Sequence, residues 1–340
     1  MTKPKSKTKP KLTADRKGWI GLVRAMQEDI KRRDYSPKTS TGYVGWVRKF
    51  GEYTKHMPIA DISDKAAKGF LADLAENGGM ATTSQNQAFN ALQFLFRHVL
   101  KRDYELGDRV ARAKGGKYIP PVLTRTEVDA FIGCLRYPYK LIVSMLYGCG
   151  LRLSECLELR VGDLDFEGDM VIVRDGKGDK ERSLPMPKKL KKELKKQVAR
   201  VAEQLEWDLE TLDFGGVFMP ESLGKRRALR EAKELQWQWL FPAKELTLVV
   251  DEGLYRRYHH YRQQLTRPMR VAAEKAKINK VVTAHVFRHS FASHLLAADV
   301  DVGILQKLLG HSDIRTTKIY ARTVKRQTTK RMISPLDFEE

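Results

Sequence analysis

The stretch GDMVIVRDGKGDKERSLPMP, residues 168–187, decides the fold class. Residues 170–173 form a short, mostly β-branched run, Gly176 and Gly178 bound a turn, and residues 182–186 supply a return strand. This pattern predicts a small hairpin or three-stranded sheet on the edge of a helical domain. Because the flanking periodicity is helical, we expect a mainly α domain with a small β-sheet, an α+β fold.

The first third of the chain predicts an all-α domain of four to five helices, residues 15–106. Residues 35–53 include a Ser-Pro start at Ser36 and Pro37, which is typical of a helix N-terminus. Asp61 or Ser63 is an N-cap candidate for the next helix. Two apolar stripes recur at spacings of three and four. Their members are Tyr43, Trp46, Val47 and Phe50, and then Ala88, Ala91, Leu92, Leu95 and Val99.

Composition shifts mark the domain boundaries. Residues 1–14 alternate lysine with proline and polar residues, which predicts a disordered basic arm. Residues 107–121 combine charge, Gly-Gly and Pro-Pro without periodicity, so we expect a linker there. Residues 122–340 then form a second domain.

Within the second domain, a helix begins at Thr124 or Thr126 with a capping-box pattern. Residues 188–206 predict a strongly basic helix. Residues 207–266 are less regular, and helices resume at Pro268.

The charge balance favours a long polyanion as partner. The chain has 63 Lys and Arg against 42 Asp and Glu, a formal charge of +21, and nucleic acid is the natural candidate. The longest apolar run is far shorter than a membrane-spanning helix, and the N-terminus lacks a signal-peptide core. Three cysteines without CxxC spacing indicate neither a disulfide framework nor a cysteine zinc site. We therefore expect a cytoplasmic protein without a membrane anchor.

Acid, base and nucleophile types concentrate at two places. Arg152 follows a Gly-x-Gly break and precedes a short helix, a position suited to phosphate or simply to solvent. Near the C-terminus, His285 and Arg288 share a helix face. His285 and His289 at i and i+4 could bind a metal, but the Glu of HExxH is absent and Arg288 would repel the ion, so we expect no metal site.

Two arginines, two histidines and a tyrosine fit phosphodiester chemistry. Fixed arginines stabilise charge that grows on the non-bridging oxygens. Ionising a phenol of pKa near 10 at pH 7 costs roughly 4 kcal/mol, which a nearby histidine can lower by accepting the proton. Lys177 in the hairpin turn could protonate a leaving oxygen, although this fragment considered alone is better explained as an ordinary charged hairpin tip. Helical spacing alone leaves Tyr320 open as nucleophile or as core residue.

Five fragments in order together resemble the tyrosine recombinases of the phage-integrase type: GLRLSE, GKGDKER, HVFRHSFASHLL, LLGHS and TTKIY. The resemblance implies a SAM-like core-binding domain before the catalytic domain, the two forming a C-shaped clamp around DNA. It implies no cofactor. It also implies a monomer in the absence of DNA and a tetramer on paired sites. The catalytic set that it implies is Arg152, Lys177, His285, Arg288, His311 and the nucleophile Tyr320.

A narrower resemblance, to a divergent integron integrase, covers much of the remaining chain. It implies an insertion at about 203–262 that helps to bind extrahelical bases of folded single-stranded cassette sites, and a C-terminal tail at about 325–340 that docks on a neighbouring subunit. Leu205 stands where that subfamily has histidine, and the usual Lys-Tyr-Pro is missing. The expected base-binding residues are Trp237, Trp239, Pro242, His259 and His260, although one tryptophan could be core packing.

The sequence thus predicts a bacterial integron integrase that inserts and excises gene cassettes through a 3′-phosphotyrosine, nucleoid-associated when bound to DNA. Three alternatives remain: a Xer-type or phage-type recombinase restricted to duplex sites, a DNA-binding regulator without chemistry, and a type IB topoisomerase. The insertion argues against the first and the third. The complete catalytic set argues against the second.

Overall fold

The computed structural model describes residues 14–76, 80–102, 121–174, 181–220, 223–311 and 336. The chain divides into two compact units, Met1–Tyr118 and Ile119–Glu340. Several predicted features lie outside the described residues, namely nearly all of the basic arm and the linker, the turn 175–180 and all of the C-terminal tail except Leu336.

The first unit is all-helical, as predicted. Its helices are α1 (Ala14–Arg32), α2 (Pro37–Tyr53), α3 (Asp64–Glu76) and α4 (Thr82–Phe94), and a π-helical turn, Leu95–Val99, continues α4. Ser36 caps α2 by accepting a hydrogen bond from the Thr39 amide at 3.1 Å, with Pro37 in the first turn. Of the predicted stripe, Trp46, Val47 and Phe50 are buried.

The second unit contains the remaining helices. They are α5 (Arg125–Gly133), α6 (Tyr139–Gly148), α7 (Leu153–Leu157), α8 (Lys188–Leu209), α9 (Lys225–Glu231), α10 (Thr266–Lys275), α11 (Ala284–Ala297) and α12 (Val302–Leu309). Thr124 and Glu127 form the predicted capping box at α5. The aromatic core residues Phe131 and Phe287 join α5 to α11, with ring centroids 5.0 Å apart. None of the helices in the described ranges is both long and apolar enough to span a membrane.

The first sheet confirms the prediction made from residues 168–187. Its antiparallel strands are β1 (Leu164–Asp165), β2 (Met170–Arg174) and β3 (Glu181–Pro185), in the order β1-β2-β3. Val171, Val173 and Leu184 turn inward and are buried, whereas the alternate residues are more exposed. The α+β fold class is therefore confirmed.

A second three-stranded sheet lies in the region that we expected to be less regular. Its strands are β4 (Phe214–Val217), β5 (Pro242–Val249) and β6 (Leu254–His259), in the order β4-β6-β5. The strand β4 pairs in parallel with β6, and β5 pairs with β6 across an irregular register. The expectation was wrong because β4 is FGGV, in which Gly216 has φ +84° and no side-chain alternation exists.

The second sheet is fastened to the loop after α7. The Leu240 amide donates to the Leu159 carbonyl at 2.8 Å, and the Val161 amide donates to the Gln238 carbonyl at 2.9 Å. The buried Arg160 guanidinium donates to the carbonyl of Trp237 at 2.5 Å. These bonds connect residues 237–240, which lead into β5, to the loop that follows α7.

Candidate active site

Arg152 is positioned by a turn that only glycine accommodates well. Gly150 has φ +62°, and a Cβ there would lie 2.4 Å from the Phe291 ring. The chain then enters α7 with Arg152 as its N-cap residue. The Arg152 side chain is 38% exposed, so its guanidinium remains accessible to a ligand.

Glu155 organises the guanidinium groups of the site. Its carboxylate accepts from the backbone amide and Nη1 of Arg152 at 2.7 and 2.5 Å, and from Nη2 of Arg182 at 2.7 Å. It also lies 3.6 Å from Nη1 of Arg288. Burial alone would raise the pKa of Glu155, but its hydrogen bond with Arg182 and the neighbouring arginine charges lower it below the ordinary value. Glu155 is therefore an anion at neutral pH.

Arg288 is fully buried on α11. Its Nη1 donates to the Gly150 carbonyl at 2.7 Å, and its Nη2 donates to the Leu309 carbonyl at 2.5 Å. The same Nη2 lies 3.0 Å from Nε2 of His311. Because arginine only donates, Nε2 of His311 is the acceptor, and the neutral ring carries its hydrogen on Nδ1.

The two predicted site histidines are held neutral. Desolvation, followed by the charges of Arg288 and Arg152, lowers the pKa of His311 to about 4. The same causes lower the pKa of His285, which lies on the exposed side of α11. A neutral imidazole at His285 can accept a proton at physiological pH.

His289 has a different environment from the two site histidines. It is buried one turn after His285, and the two rings contact edge-on at a centroid distance of 4.5 Å. Desolvation lowers the pKa of His289 to about 4. Its burial and its neutral ring fit a structural role in the core. Among the described residues, no group of three or more His, Cys, Asp or Glu side chains is arranged to hold a metal ion.

A cavity of about 580 Å³ opens beside these residues, with Arg152 and His285 in its wall. Further polar side chains come from the turn before α10 and from the start of α11. Arg262, Gln263 and Thr283 are among them, and the sequence reasoning missed all three. The cavity presents cationic and neutral hydrogen-bonding groups, an arrangement that suits a phosphodiester.

The structure thus brings Arg152, His285, Arg288 and His311 together from three separate segments. Lys177 and Tyr320 lie outside the described residues. The sequence analysis did not assign Glu155 or Arg182 to the site. A signal for Glu155 was present, because it occupies the third helical position after the N-cap, where a carboxylate closes a capping box.

The predicted base-binding residues do not share one environment. Trp239 is buried, with the Arg160 guanidinium 3.8 Å from its ring centroid, and His260 is buried as well. The burial of Trp239 fits the core-packing alternative for one tryptophan, and a base-binding role for either residue stays a prediction. Trp237, Pro242 and His259 are partly exposed.

A second cavity of about 470 Å³ adjoins two of these residues, Pro242 and His260. Its wall also includes Tyr137 and Trp207, whose exposed fractions are 52% and 69%. Sequence reasoning missed both rings. Helical periodicity did not single out Trp207 as a binding residue. It lies near the end of the long basic helix α8.

Known proteins are similar to this chain in sequence and in fold. Residues 121–327 match the profile of the phage integrase family, and residues 22–106 match the N-terminal SAM-like domain of phage integrases. An integrase/recombinase of Escherichia coli is 36% identical over 308 residues, covering 90% of each chain. The tyrosine recombinase XerA of Thermococcus kodakarensis is 31% identical over 290 residues, covering 84% of this chain and 85% of the relative.

The fold is also similar to that of a XerH site-specific recombinase in a crystal structure with palindromic difH substrate. The TM-score is 0.60 at 19% identity, covering 94% of this chain and 88% of the other. At this identity the similarity extends to the fold alone.

Proposed function

The chain belongs to the phage integrase family of tyrosine recombinases, which break and rejoin DNA at specific sites, and from this premise we propose how its residues divide the reaction. The phenol oxygen of Tyr320 attacks a scissile phosphate. The bond from phosphorus to the 5′ oxygen breaks, and a 3′-phosphotyrosine forms. A hydroxyl on a second strand reverses the step, so the phosphodiester linkage is conserved without an added energy source.

One observation carries this proposal: two arginine guanidiniums and two neutral imidazoles converge beside an open cavity. Arg152 and Arg288 bind the non-bridging oxygens of the phosphate, and both are already oriented by Glu155 and by backbone carbonyls. Preorganised donors stabilise the transition state because they need not reorient as charge develops.

Proton transfer is assigned by ionisation state. Neutral His285 accepts the phenolic proton of Tyr320, because its lowered pKa leaves the ring unprotonated at pH 7. His311 adds a hydrogen bond to the phosphate from Nδ1–H, since its Nε2 accepts from Arg288. Lys177 donates the proton that the leaving 5′ oxygen requires.

For the substrate, we propose DNA cassette sites of the integron type, folded single strands as well as duplexes. The segment at about 203–262 supports this, because it adds a sheet and a cavity with exposed aromatic rings, including Trp207. Base stacking on such rings contributes roughly 1 to 3 kcal/mol per base. Recombination joins two cleaved duplexes, so the working assembly is a tetramer whose subunits contact through the tail at about 325–340.

A duplex-only recombinase is the second candidate. The relative XerA from Thermococcus kodakarensis, 31% identical over most of both chains, favours it. The two candidates differ in one measurable property, the preference for a folded single strand.

Suicide substrates that carry a nick near the scissile phosphate test both points. The wild type is expected to form a covalent adduct on the 3′ phosphate, and Tyr320→Phe is expected to form none while it binds the same DNA. Tyr261→Phe is a matched control at an exposed tyrosine. Absence of an adduct with folded strands and duplexes alike would contradict the chemistry, and adducts with duplexes only would favour the second candidate.

A further inference from the structure

The C-terminal end of α12 is bound by arginines from three other segments. Helix C-termini present carbonyl oxygens that lack partners within the helix, and they form the negative end of the helix dipole. Here three consecutive carbonyls each accept a bond from a different guanidinium. The pairs are Arg182 Nε with Leu308 at 3.0 Å, Arg288 Nη2 with Leu309 at 2.5 Å and Arg152 Nη2 with Gly310 at 3.2 Å.

Arg182 binds both Glu155 and the end of α12, as Arg152 does, but it is less exposed than Arg152. Its Nε binds the end of α12, and its Nη2 binds the Glu155 carboxylate at 2.7 Å. Its side chain is only 14% exposed, against 38% for Arg152, and it does not line the 580 Å³ cavity. Two donors of Arg182 are thus engaged by protein groups beside the site.

Gly310 allows this arrangement. Its φ of +61° ends α12 in the left-handed region. A Cβ at this position would lie 2.9 Å from Nη1 and 3.1 Å from Cζ of Arg182. The guanidinium therefore packs directly on the backbone that precedes His311.

We propose that Arg182 is a positioning residue for DNA cleavage. The guanidinium of Arg182 holds Glu155, which orients Arg152. It also holds the end of α12, which precedes His311 and the segment with Tyr320. Arg182 itself lies on β3. It thus links the segments that carry Arg152 and His311 without touching DNA. This inference rests on the proposed function of those groups.

The test compares Arg182→Gln and Arg182→Lys in the full chain. Single-turnover cleavage of a nicked suicide substrate gives the rate constant, and binding at the same salt concentration gives the Kd. We expect Arg182→Gln to slow cleavage roughly tenfold to a hundredfold, because small misplacements of catalytic groups have effects of this size. The Kd should change by less than about twofold, since no phosphate contact is lost.

Arg182→Lys separates charge from geometry. Lysine keeps the charge but cannot direct two donors in a fixed fork, so we expect a rate between those of the wild type and Arg182→Gln. Lys191→Gln is the control, because it removes the same charge from an exposed pair with Asp169. It should match the wild type in rate and Kd.

Gly310→Ala disrupts the same contact from the opposite side, and it should also slow cleavage at unchanged Kd. Cleavage by Arg182→Gln at the wild-type rate would overturn the proposal. So would parallel losses of binding, cleavage and folded fraction in all three variants. If the wild type itself forms no adduct, the proposed chemistry fails first, and the role of Arg182 falls with it.

Discussion

Two arginine groups in the second unit have different charge balances. Beside the second sheet, Arg257 on β6 pairs with Asp208 on α8, each side chain is 4% exposed, and Nε of Arg257 donates to the carboxylate at 2.8 Å. At the active site, Arg152, Arg182 and Arg288 share the single carboxylate of Glu155. One arginine per carboxylate leaves no net charge, whereas three arginines around one carboxylate leave a net positive charge.

This difference indicates that arginine has two kinds of role in this molecule, in a neutral buried pair and in a positively charged group beside a cavity. A neutral buried pair fastens segments together, and Arg257 also donates to the Ala243 carbonyl at 2.8 Å, which joins β6 to β5. An excess of fixed positive charge beside a cavity is costly unless an anion arrives. On the proposed function, the positive cluster around Glu155 favours binding of a phosphate, whereas the pair of Arg257 and Asp208 stabilises the fold.

The largest expected effect is on stability, from Asp208→Asn. The substitution leaves the Arg257 guanidinium buried without its counter-charge, and removal of one partner of a buried pair typically costs about 3–5 kcal/mol. The free energy of unfolding, from urea titration, should fall by this amount. Cleavage per folded molecule should remain unchanged. A stable Asp208→Asn protein would show that the pair is not the fastening that the comparison requires.

The next effect is on the reaction, from Arg288→Gln. Loss of one preorganised donor to the phosphate should raise the barrier by about 3–4 kcal/mol and slow cleavage about 10²- to 10³-fold. Arg257→Gln is the matched variant, since it removes another buried guanidinium. It should destabilise the fold yet leave the cleavage rate of folded molecules intact. Equal losses of cleavage rate in Arg288→Gln and Arg257→Gln would contradict a separate role for the arginines around Glu155.

The smallest expected effect, per pH unit, is the dependence of the free energy of unfolding on pH that His289 and His311 cause. His289 and His311 have pKa values of about 4 in the folded protein, against about 6.5 when unfolded. Between these values the unfolded chain binds more protons, so the free energy of unfolding falls as the pH falls from 6.5 to 4. The slope is at most about 1.4 kcal/mol per pH unit for each histidine, reduced for half-exposed His311 by solvent.

Urea titrations at several pH values measure this slope, and His289→Asn should flatten it. Changes at Asp208 should leave the slope in this range intact. An unaltered slope in His289→Asn would mean that His289 is not kept neutral by its surroundings.

Sequence patterns predict some parts of this molecule better than others, for physical reasons. The strand β2 alternates inward Val171 and Val173 with more exposed neighbours, so its local pattern is sufficient. The strand β4 has no alternation, and its parallel pairing with β6 joins residues some 40 positions apart, as in Phe214 with Tyr255. Nothing local in FGGV indicates that partner.

The same reasoning applies to the candidate site. Arg152, His285, Arg288 and His311 lie in fragments recognisable as a set, and the structure brings these four together. Arg182 acts on the Leu308 carbonyl, 126 residues away, and backbone acceptors leave no residue-type signal. The burial of Trp239 could not be predicted from its identity, because an aromatic residue fits both a stacking surface and a core.

The attachment of the second sheet has a consequence for protein engineering. The bonds from Leu159 and Val161 to Leu240 and Gln238 tie the chain that leads into β5 to the loop after α7. Excision of residues 203–262 would therefore remove hydrogen-bond partners from the chain that follows α7. A transplant of residues 203–262 into another protein would have to include residues 159–163 to keep these bonds.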